Sequence, residues 1–415
     1  WYYDWTVSDG GDGTATITVA GSDLAGNAYA GGDTDTVTID NIAPTVASIV
    51  TDDSDDNVKN TDVVRVTTTF SEAMTASPTI DIDLPNGADI SAESMTQSTT
   101  ADVWYYDWTV NDGGDGTATI TVAGSDLAAN AYAGGDTDTV TIDNTAPTLT
   151  ITAADTSLII GETSVVTFTF SEDVLGFEHA DITLEGGGSL SSISATSSQV
   201  FSATYTPPSA TTGTVTLTVG ANKYTDIVLN DNTATATISF TVDTQSPTLS
   251  SVSISSSNSD SAKAKVGDTV TLIFTSSEAI QSPTVTINGN AATISGSGTS
   301  WTATYALVSG DTEGALAFTI DFQDTAGNSG TQVTAVTDSS LVTFDKTAPT
   351  VLTIITDDSD DKVKDTDVVR VTTTFSEAMT SAPTISIDLP NGTDISGASM
   401  TQSTTADVWY YDWTV

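Results

Sequence analysis

A short linker that contains proline recurs four times along the chain at almost constant spacing. Its copies are TIDNIAPT at 38–45, TIDNTAPT at 141–148, TVDTQSPT at 241–248 and TFDKTAPT at 343–350. Each copy joins the end of a strand-like segment to an acidic residue, and then to a proline that opens the next segment. Because the prolines are 100–103 residues apart, the spacing predicts tandem β-domains joined by very short linkers.

The period divides the chain into three complete domains flanked by two partial ones. The predicted domains are the C-terminal half of one domain at 1–43, complete domains at 44–146, 147–246 and 247–348, and the N-terminal half of another at 349–415. Internal repetition supports this division, since 1–41 nearly repeats 104–144 and 352–415 nearly repeats 47–110. We expect the chain to be a section of a longer array. The alternative is that halves from neighbouring chains complement each other, which supplies the strand WYYDWTV twice.

Each complete domain reads as a series of short strands separated by turn residues. In the first, Val64, Val66, Thr68 and Phe70 alternate onto one face of a strand. Its predicted strands are 44–50, 62–70, 78–84, 88–91, 101–110, 117–123 and 137–142. Those of the next two domains are 164–170, 181–184, 200–207, 214–219, 234–242, 269–275, 284–287, 301–307, 315–322 and 332–343. Seven short strands in about 100 residues predict an all-β fold of tandem immunoglobulin-like antiparallel β-sandwiches, in an elongated array.

The charge restricts the classes of partner. There are 55 acidic and 9 basic residues, giving a formal net charge of −46. Such a field repels nucleic acid and anionic membranes, and it destabilises the compact state unless cations bind. Solubility or adaptation to a salty habitat is the alternative explanation. No apolar run is long enough to insert in a membrane, and the absence of cysteine excludes disulfides and thiolate metal sites.

Three acidic motifs recur in step with the linker. The first follows the second strand as Phe-Ser-Glu or Ser-Glu, at Glu72, Glu172, Glu278 and Glu377. The second follows the sixth strand as Asp-x-x-x-Asn, at Asp23 and Asn27, Asp126 and Asn130, Asp226 and Asn230, and Asp324 and Asn328. The third is the linker acid itself, at Asp40, Asp143, Asp243 and Asp345.

Sandwich topology brings these three motifs to the same pole of a domain. The loops after the second and sixth strands both face the incoming linker, so a Glu, an Asp/Asn pair and a linker Asp converge on each junction. Calcium takes six to eight oxygen ligands from such groups in tolerant geometry. The pattern predicts Ca²⁺ at the junctions. Asp and Asn also favour turns for purely conformational reasons, which is the alternative.

The chain resembles the bacterial Ig-like domains that form long tandem extender arrays in giant surface adhesins. The resemblance rests on the Ala-Pro-Thr openings, the Phe-Ser-Glu turns and Asp-x-Ala-Gly-Asn at 23–27 and 324–328, with 161–208 especially typical. In that family calcium at domain junctions stiffens the array. The resemblance implies the same role here for Glu72, Asp126 and Asn130 with the linker residue Asp40.

Other candidate sites carry weaker signals. Asp53, Asp55 and Asn57 imitate half of an EF-hand loop but have Val58 where that loop needs glycine, so an acidic turn competes with a calcium site. A second acidic loop, 112–116, joins them at the opposite pole. Trp104, Tyr106, Trp108 and Val110 share one strand face, which predicts core rather than a sugar platform and leaves Tyr105 as the exposed aromatic. His179 has no nucleophile motif beside it, and no enzyme is predicted.

The motifs together predict an extracellular structural spacer or fibre section of a bacterial surface or matrix protein, stiffened by calcium. The partners expected are calcium ions and neighbouring repeats of the same chain, with lateral self-assembly left open because the edge strands are rich in Thr and Val. The alternative function is an adhesive module whose domains bind a surface or glycan directly.

Overall fold

The computed structural model describes residues 1–8, 11–111, 114–390 and 392–415. It divides into two compact units, Trp1–Gln245 and Ser246–Val415. Strands make up the regular structure of the described residues, apart from one 3₁₀ turn at His179–Asp181. The predicted fold class, an all-β chain of tandem Ig-like antiparallel sandwiches, is confirmed.

The first unit begins with a two-stranded hairpin followed by a complete sandwich. The hairpin strands are β1 (Gly13–Thr18) and β2 (Thr34–Ile39). The sandwich strands are β3 (Val46–Thr51), β4 (Asn57–Val58), β5 (Val63–Phe70), β6 (Thr79–Asp83), β7 (Ile90–Ser94), β8 (Thr96–Gln97), β9 (Val103–Thr109), β10 (Gly116–Ala123) and β11 (Thr137–Ile142). Its sheets have the orders β3-β5-β9-β8 and β4-β11-β10-β6-β7. All pairs are antiparallel except β4 with β11.

The alternating residues of these strands build the core. Val64, Val66 and Phe70 of β5 are buried, and so are Trp104 and Trp108 of β9, as the alternation predicts. On the opposite face Arg65 pairs with Asp107, with 2.6 Å between Nε and Oδ1. The short strands β4 and β8 are absent from the sequence prediction because two residues leave no periodic signal.

The second sandwich of this unit repeats the plan. Its strands are β12 (Leu149–Ala153), β13 (Ser157–Leu158), β14 (Ser164–Phe170), β15 (Ile182–Glu185), β16 (Ser189–Leu190), β17 (Ser194–Ala195), β18 (Val200–Thr206), β19 (Thr212–Val219) and β20 (Ala236–Asp243). The sheets are β12-β14-β18-β16, with β17 also on β18, and β13-β20-β19-β15. Phe168, Phe170, Tyr205 and Phe240 are at the centre of the core.

The second unit begins with a sandwich that departs from the prediction in its last strand. Its strands are β21 (Leu249–Ser256), β22 (Lys263–Ala264), β23 (Thr269–Ser276), β24 (Thr284–Ile287), β25 (Asn290–Ala291), β26 (Thr293–Ser297), β27 (Ser300–Ala306), β28 (Gly314–Ala315), β29 (Phe318–Asp321) and β30 (Thr343–Phe344). The predicted strand 332–343 is wrong over most of its length. Instead, the Thr337 and Ser340 hydroxyls accept the N–H groups of Val252 and Ile254 in β21, and the Thr337 hydroxyl also donates to the Val252 carbonyl. Side chains thus replace a regular ladder there.

The same unit ends with a sheet and a hairpin that repeat parts of the first sandwich. The strands are β31 (Val351–Thr356), β32 (Val368–Phe375), β33 (Thr384–Ile387), β34 (Ile395–Ser399), β35 (Thr401–Gln402) and β36 (Val408–Thr414). The sheet has the order β31-β32-β36-β35, and β33 pairs with β34 alone.

Candidate metal centre

The serine of each Phe-Ser-Glu turn is bonded to the threonine that follows the linker proline. Ser171 Oγ accepts the backbone N–H of Thr148 at 2.9 Å, and the Ser171 N–H donates to the Thr148 carbonyl at 3.0 Å. The same reciprocal pair joins Thr45 with Ser71, Thr248 with Ser277 and Thr350 with Ser376. This pairing holds the following glutamate beside the linker. Sequence reasoning found both motifs but missed that they bind each other.

The Asp-x-x-x-Asn segment forms a closed loop around a buried carboxylate. Asp126 is fully buried, and its Oδ1 accepts the N–H groups of Ala128 and Asn130 at 2.8 and 2.9 Å. The Asn130 amide Nδ2 donates to the other oxygen at 2.8 Å. Asp226 with Asn230 and Asp324 with Asn328 repeat the two bonds from the asparagine, one from its backbone N–H and one from its side-chain amide. The loop therefore fixes the direction of a carboxylate at each sixth strand.

One position in this loop has left-handed backbone geometry. Gly26 and Gly327 occupy it with φ of 88° and 115°, whereas Ala129 and Leu229 occupy it with φ of 71° and 65°. The two copies without glycine thus keep the loop conformation. The cost is backbone strain, because a Cβ disfavours this region by about 1–2 kcal/mol.

Replacing the strained alanine should stabilise the first complete sandwich. We expect Ala129→Gly to raise the free energy of unfolding by about 0.5–1 kcal/mol, since relief of the left-handed strain exceeds the extra entropy lost by glycine. Denaturant unfolding measures the change. Ala128→Gly, one residue earlier, lacks this relief and should not stabilise, so an equal gain in both variants would contradict the explanation.

The linker acid is bonded on both sides. The Asp143 N–H donates to the Val58 carbonyl of the preceding sandwich at 2.9 Å. The Asp143 carbonyl accepts Asn230 Nδ2 of the following sandwich at 3.0 Å. The equivalent bond from Asn130 to the Asp40 carbonyl is 3.1 Å. Lys59 Nζ also donates across this junction to the Leu229 carbonyl. The first unit thus has two linkers held in place by the loops that they enter.

These contacts gather carboxylates in two places in the first unit. Oxygens of Asp40, Glu72 and Asp126 all lie within 4.8 Å of one another, and so do those of Asp143, Glu172 and Asp226. In each cluster the loop aspartate is buried and the other two acids are half-buried. Three hard oxygen donors from three separate elements match the ligand chemistry of calcium.

The clustered charges shift the titration of the acids. Burial, then repulsion by Asp143 and Asp226, raises the pKa of Glu172. Burial also raises the pKa of Glu72, which Asp40 and Asp126 repel. The pKa of Asp143 is raised by burial and by Asp226. Both junctions therefore contain carboxylates that resist ionisation unless positive charge is supplied.

The pKa of Asp126 moves the other way. Burial acts to raise it, but hydrogen bonds from the side chain and backbone of Asn130 outweigh burial, so this pKa is lowered. Asp126 therefore keeps its charge to lower pH than the neighbouring Glu72, whose pKa is raised.

The remaining predicted metal ligands lie outside the two three-carboxylate clusters of the first unit. In the second unit Glu278 and the buried Asp324 bring carboxylate oxygens within 4.8 Å, with Asn328 bonded to Asp324. Asp243 is half-buried at the end of β20, where Oδ1 accepts the Thr212 hydroxyl at 3.0 Å. Asp23 and Asn27 are bonded to each other but exposed. Asp345 and Glu377 line a groove of about 830 Å³.

A further acid, Asp115, positions the linker, and the sequence did not predict this contact. Asp115 accepts the Asn144 N–H at 2.6 Å and also accepts the Thr145 hydroxyl. The bond from Thr145 and, to a smaller extent, the bond from Asn144 lower the pKa of Asp115. Asp12 holds Asn41 in the same way, and Glu313 holds Lys346. Sequence reasoning placed Asp115 in an acidic loop of the opposite pole. Only the fold shows that this loop touches the outgoing linker.

The residues of the weaker candidate sites make local contacts. Asp53, Asp55 and Asn57 form successive side-chain-to-backbone turns, while Asp112 lies outside the described residues. The Arg65 guanidinium covers the ring of Tyr105, 4.2 Å from its centroid, so this aromatic is not the free contact that the sequence predicted. His179 Nε2 lies 3.2 Å from the Leu190 carbonyl.

Comparison with known proteins identifies the domain type. Residues 143–242 match the family described as bacterial Ig-like domain. The chain carries a bacterial Ig-like domain. The resemblance inferred from the Ala-Pro-Thr and Phe-Ser-Glu motifs is therefore confirmed, and Asp143, Glu172, Asp226 and Asn230 all lie within the matched segment.

Several solved structures are similar to this chain. The titin I-band fragment I67–I69 is 12% identical with a TM-score of 0.34, covering 74% of this chain and 99% of that one. The bacterial integrin-binding protein invasin is 15% identical with a TM-score of 0.31, covering 79% and 76%. Surface layer protein SbsC, domains 1–6, is 14% identical with a TM-score of 0.17, covering 90% and 63%. All three scores lie below 0.5, so none of these likenesses identifies a function.

Two searches found no match. No curated protein sequence matches the chain. Among the described residues, no helix is long and apolar enough to cross a membrane.

Proposed function

We propose that this chain is a spacer section of an extracellular bacterial surface or matrix protein, with junctions stiffened by calcium. The observation that carries the proposal is that the three acids of each carboxylate cluster come from three different elements of the chain. One acid comes from the linker, one from the turn after the second strand and one from the loop after the sixth strand. A cation bound by all three joins the linker to the domain that follows it.

The residues that would hold calcium divide into ligands and positioning groups. Asp143, Glu172 and Asp226 offer the carboxylates of one site, and Asp40, Glu72 and Asp126 those of the other. Asn130 and Asn230 turn their amide nitrogens to the loop aspartate and the linker carbonyl, so they position both elements. Bound calcium supplies the positive charge that these converging acids lack.

The stiffening follows from the two-sided attachment of the linker. Hydrogen bonds already hold Asp143 to both neighbouring sandwiches, and the repulsion among Asp143, Glu172 and Asp226 opposes those bonds. Neutralising the repulsion leaves the bonds unopposed. Of the two functions raised by the sequence, the spacer is favoured over the adhesive module because Arg65 covers Tyr105.

Calcium affinity should fall as the pH falls through the raised pKa values of Glu172, Glu72 and Asp143. Protons then compete with the cation for the same oxygens. Calorimetric titration at pH 7 and pH 5 measures the effect, with at least about tenfold weaker binding expected at pH 5. Equal affinity at the two pH values would contradict the assignment of these acids as ligands.

The same raised pKa values predict the opposite pH dependence for stability in chelator. The folded chain binds more protons at these acids than the unfolded chain does, so acidification towards pH 5 should stabilise it. Below about pH 4 stability should fall, because the lowered pKa values of Asp126 and Asp115 then dominate. Thermal unfolding across pH in chelator measures both limbs.

A further inference from the structure

An asparagine followed by glycine lies in the loop between β6 and β7 of the first complete sandwich. Asn86 and Gly87 are both exposed in this loop, which has no regular structure over 84–89. Glycine has no Cβ to shield its backbone nitrogen, so the Gly87 nitrogen can approach the carboxamide carbon of the residue before it. Exposed loops of this kind are also the more mobile parts of a domain. The loop is therefore a place where Asn86 can react with its own backbone.

The side chain of Asn86 lies against the loop that holds the linker to the second sandwich. Its Nδ2 donates to the Asp115 carbonyl at 2.8 Å. A Cβ added at Gly114 would lie 2.8 Å from Cγ of Asn86, so the missing side chain at Gly114 makes room for Asn86. Asp115 accepts the Asn144 N–H at 2.6 Å, and the Gly114 carbonyl accepts Asn144 Nδ2 at 3.0 Å. Contacts thus run from Asn86 to the linker residue that follows Asp143.

A second Asn-Gly pair is held differently in the third complete sandwich. Asn288 and Gly289 form the turn of the β24–β25 hairpin, with φ of 50° and 78°. Ile287 pairs with Asn290 across this turn. Positive φ at both central residues is the two-residue turn that hairpins favour. The half-buried Asn288 is also tied by its N–H to the Ala317 carbonyl at 2.7 Å. Its side chain therefore reaches the next backbone nitrogen only when the hairpin turn opens.

We propose that Asn86 is a self-modification site, at which conversion to aspartate or isoaspartate releases the linker that leads to the second sandwich. The Gly87 nitrogen attacks Cγ of Asn86 and loses its proton to water as a bond forms between the two atoms. The bond from Cγ to Nδ2 breaks and ammonia leaves, which produces a succinimide ring. Water then opens the ring at either carbonyl, giving aspartate or isoaspartate. The reaction needs water and no enzyme, so it advances with the age of the protein.

The product has the wrong charge for its surroundings. The Asn86 amide donates to the Asp115 carbonyl, whereas a carboxylate at position 86 is an acceptor only and brings negative charge beside Asp115. Repulsion between the two loops draws Asp115 away from the Asn144 N–H. The linker that carries Asp143 thereby loses an anchor on the preceding sandwich. The consequence for calcium rests on the proposed function, whereas the modification itself does not.

Peptide mapping by mass spectrometry of the full chain, aged in mildly alkaline buffer, measures conversion at each Asn-Gly pair. Asn86 should convert at least about tenfold faster than Asn288, whose reaction waits for the hairpin turn to open. Gly87→Ala should slow conversion at Asn86 at least about tenfold, because a Cβ then shields the attacking nitrogen. The third pair, at 391–392, lies in a peptide of different sequence and does not enter the comparison. Equal rates at Asn86 and Asn288, or a rate that Gly87→Ala leaves unchanged, overturns the proposal.

Hydrogen exchange at the backbone amide of Asn144 tests the release of the linker. We expect at least about fivefold faster exchange in Asn86→Asp than in the parent chain, because the bond from this amide to Asp115 opens more often. Asn288→Asp is the matched control, since it adds the same charge at the other Asn-Gly pair and should leave this exchange unchanged. Slow exchange of the β5 and β9 amides shows that the sandwich is still folded. Unchanged exchange at Asn144 in Asn86→Asp overturns the release of the linker. Both measurements are made in chelator, so their failure is distinguishable from a failure of calcium binding.

Discussion

The Glu172→Gln variant should be more stable than the parent chain in chelator and less stable in saturating calcium. The substitution keeps the shape of the side chain and removes one of three carboxylates whose oxygens lie within 4.8 Å of one another. In chelator that charge only repels Asp143 and Asp226, and burial adds to the cost of ionising it. Relief of this repulsion is worth about 1 kcal/mol after solvent screening, or roughly 5 °C in the midpoint of a sandwich of this size.

In calcium the same carboxylate is a ligand, and its loss is costly. We expect about a hundredfold weaker binding, which removes about 2.7 kcal/mol of calcium-linked stability at saturating calcium. The net effect is a lower unfolding midpoint than that of the parent chain. The opposite signs arise because one charge is unfavourable alone and favourable beside a cation.

Glu185→Gln is the matched control for this reversal. Glu185 is exposed at the end of β15 in the same sandwich and belongs to neither carboxylate cluster. Its substitution should leave the calcium dependence of unfolding unchanged. A Glu172→Gln midpoint that moves in the same direction with and without calcium would mean that Glu172 is only an acidic turn residue.

Removal of calcium should have the largest effect on the motion of neighbouring sandwiches. At the Asp143 junction two hydrogen bonds remain, one from the Asp143 N–H to the Val58 carbonyl and one from Asn230 Nδ2 to the Asp143 carbonyl, but they are neutral contacts of modest net strength. Three carboxylates that repel one another then push the linker away from the loop and the turn. The expected result is a junction that bends more widely while each sandwich keeps its own core.

The sequence predicted the elements that repeat and missed those that depend on contact between repeats. Alternation along β5 and β9 placed Val64, Val66, Trp104 and Trp108 in the core because a strand turns alternate side chains to one face. The loop around Asp226 was predicted from spacing alone. Leu229, at φ 65°, shows that the spacing holds without the glycine that eases it.

The misses have physical causes. Residues 332–342 alternate as a strand does, but Thr337 and Ser340 satisfy the edge of β21 with side chains, and a periodic pattern does not distinguish the two cases. Asn130 and Asn230 were predicted as ligands from spacing, which does not reveal that their amide nitrogens also donate to the linker carbonyl that precedes each sandwich. Asp115 acts on a linker that is distant in sequence, so only the folded chain reveals the contact.

Small-angle X-ray scattering of the full chain, with calcium and then with chelator, tests the stiffening of the junctions most directly. The double variant Glu72→Gln with Glu172→Gln weakens calcium binding at both junctions and keeps the chain the same length, so it serves as the reference. We predict that chelator broadens the distance distribution and changes the maximum dimension of the parent chain, while the double variant gives similar curves in both conditions. A parent chain with the same distance distribution in calcium and in chelator would contradict the claim that calcium stiffens these junctions.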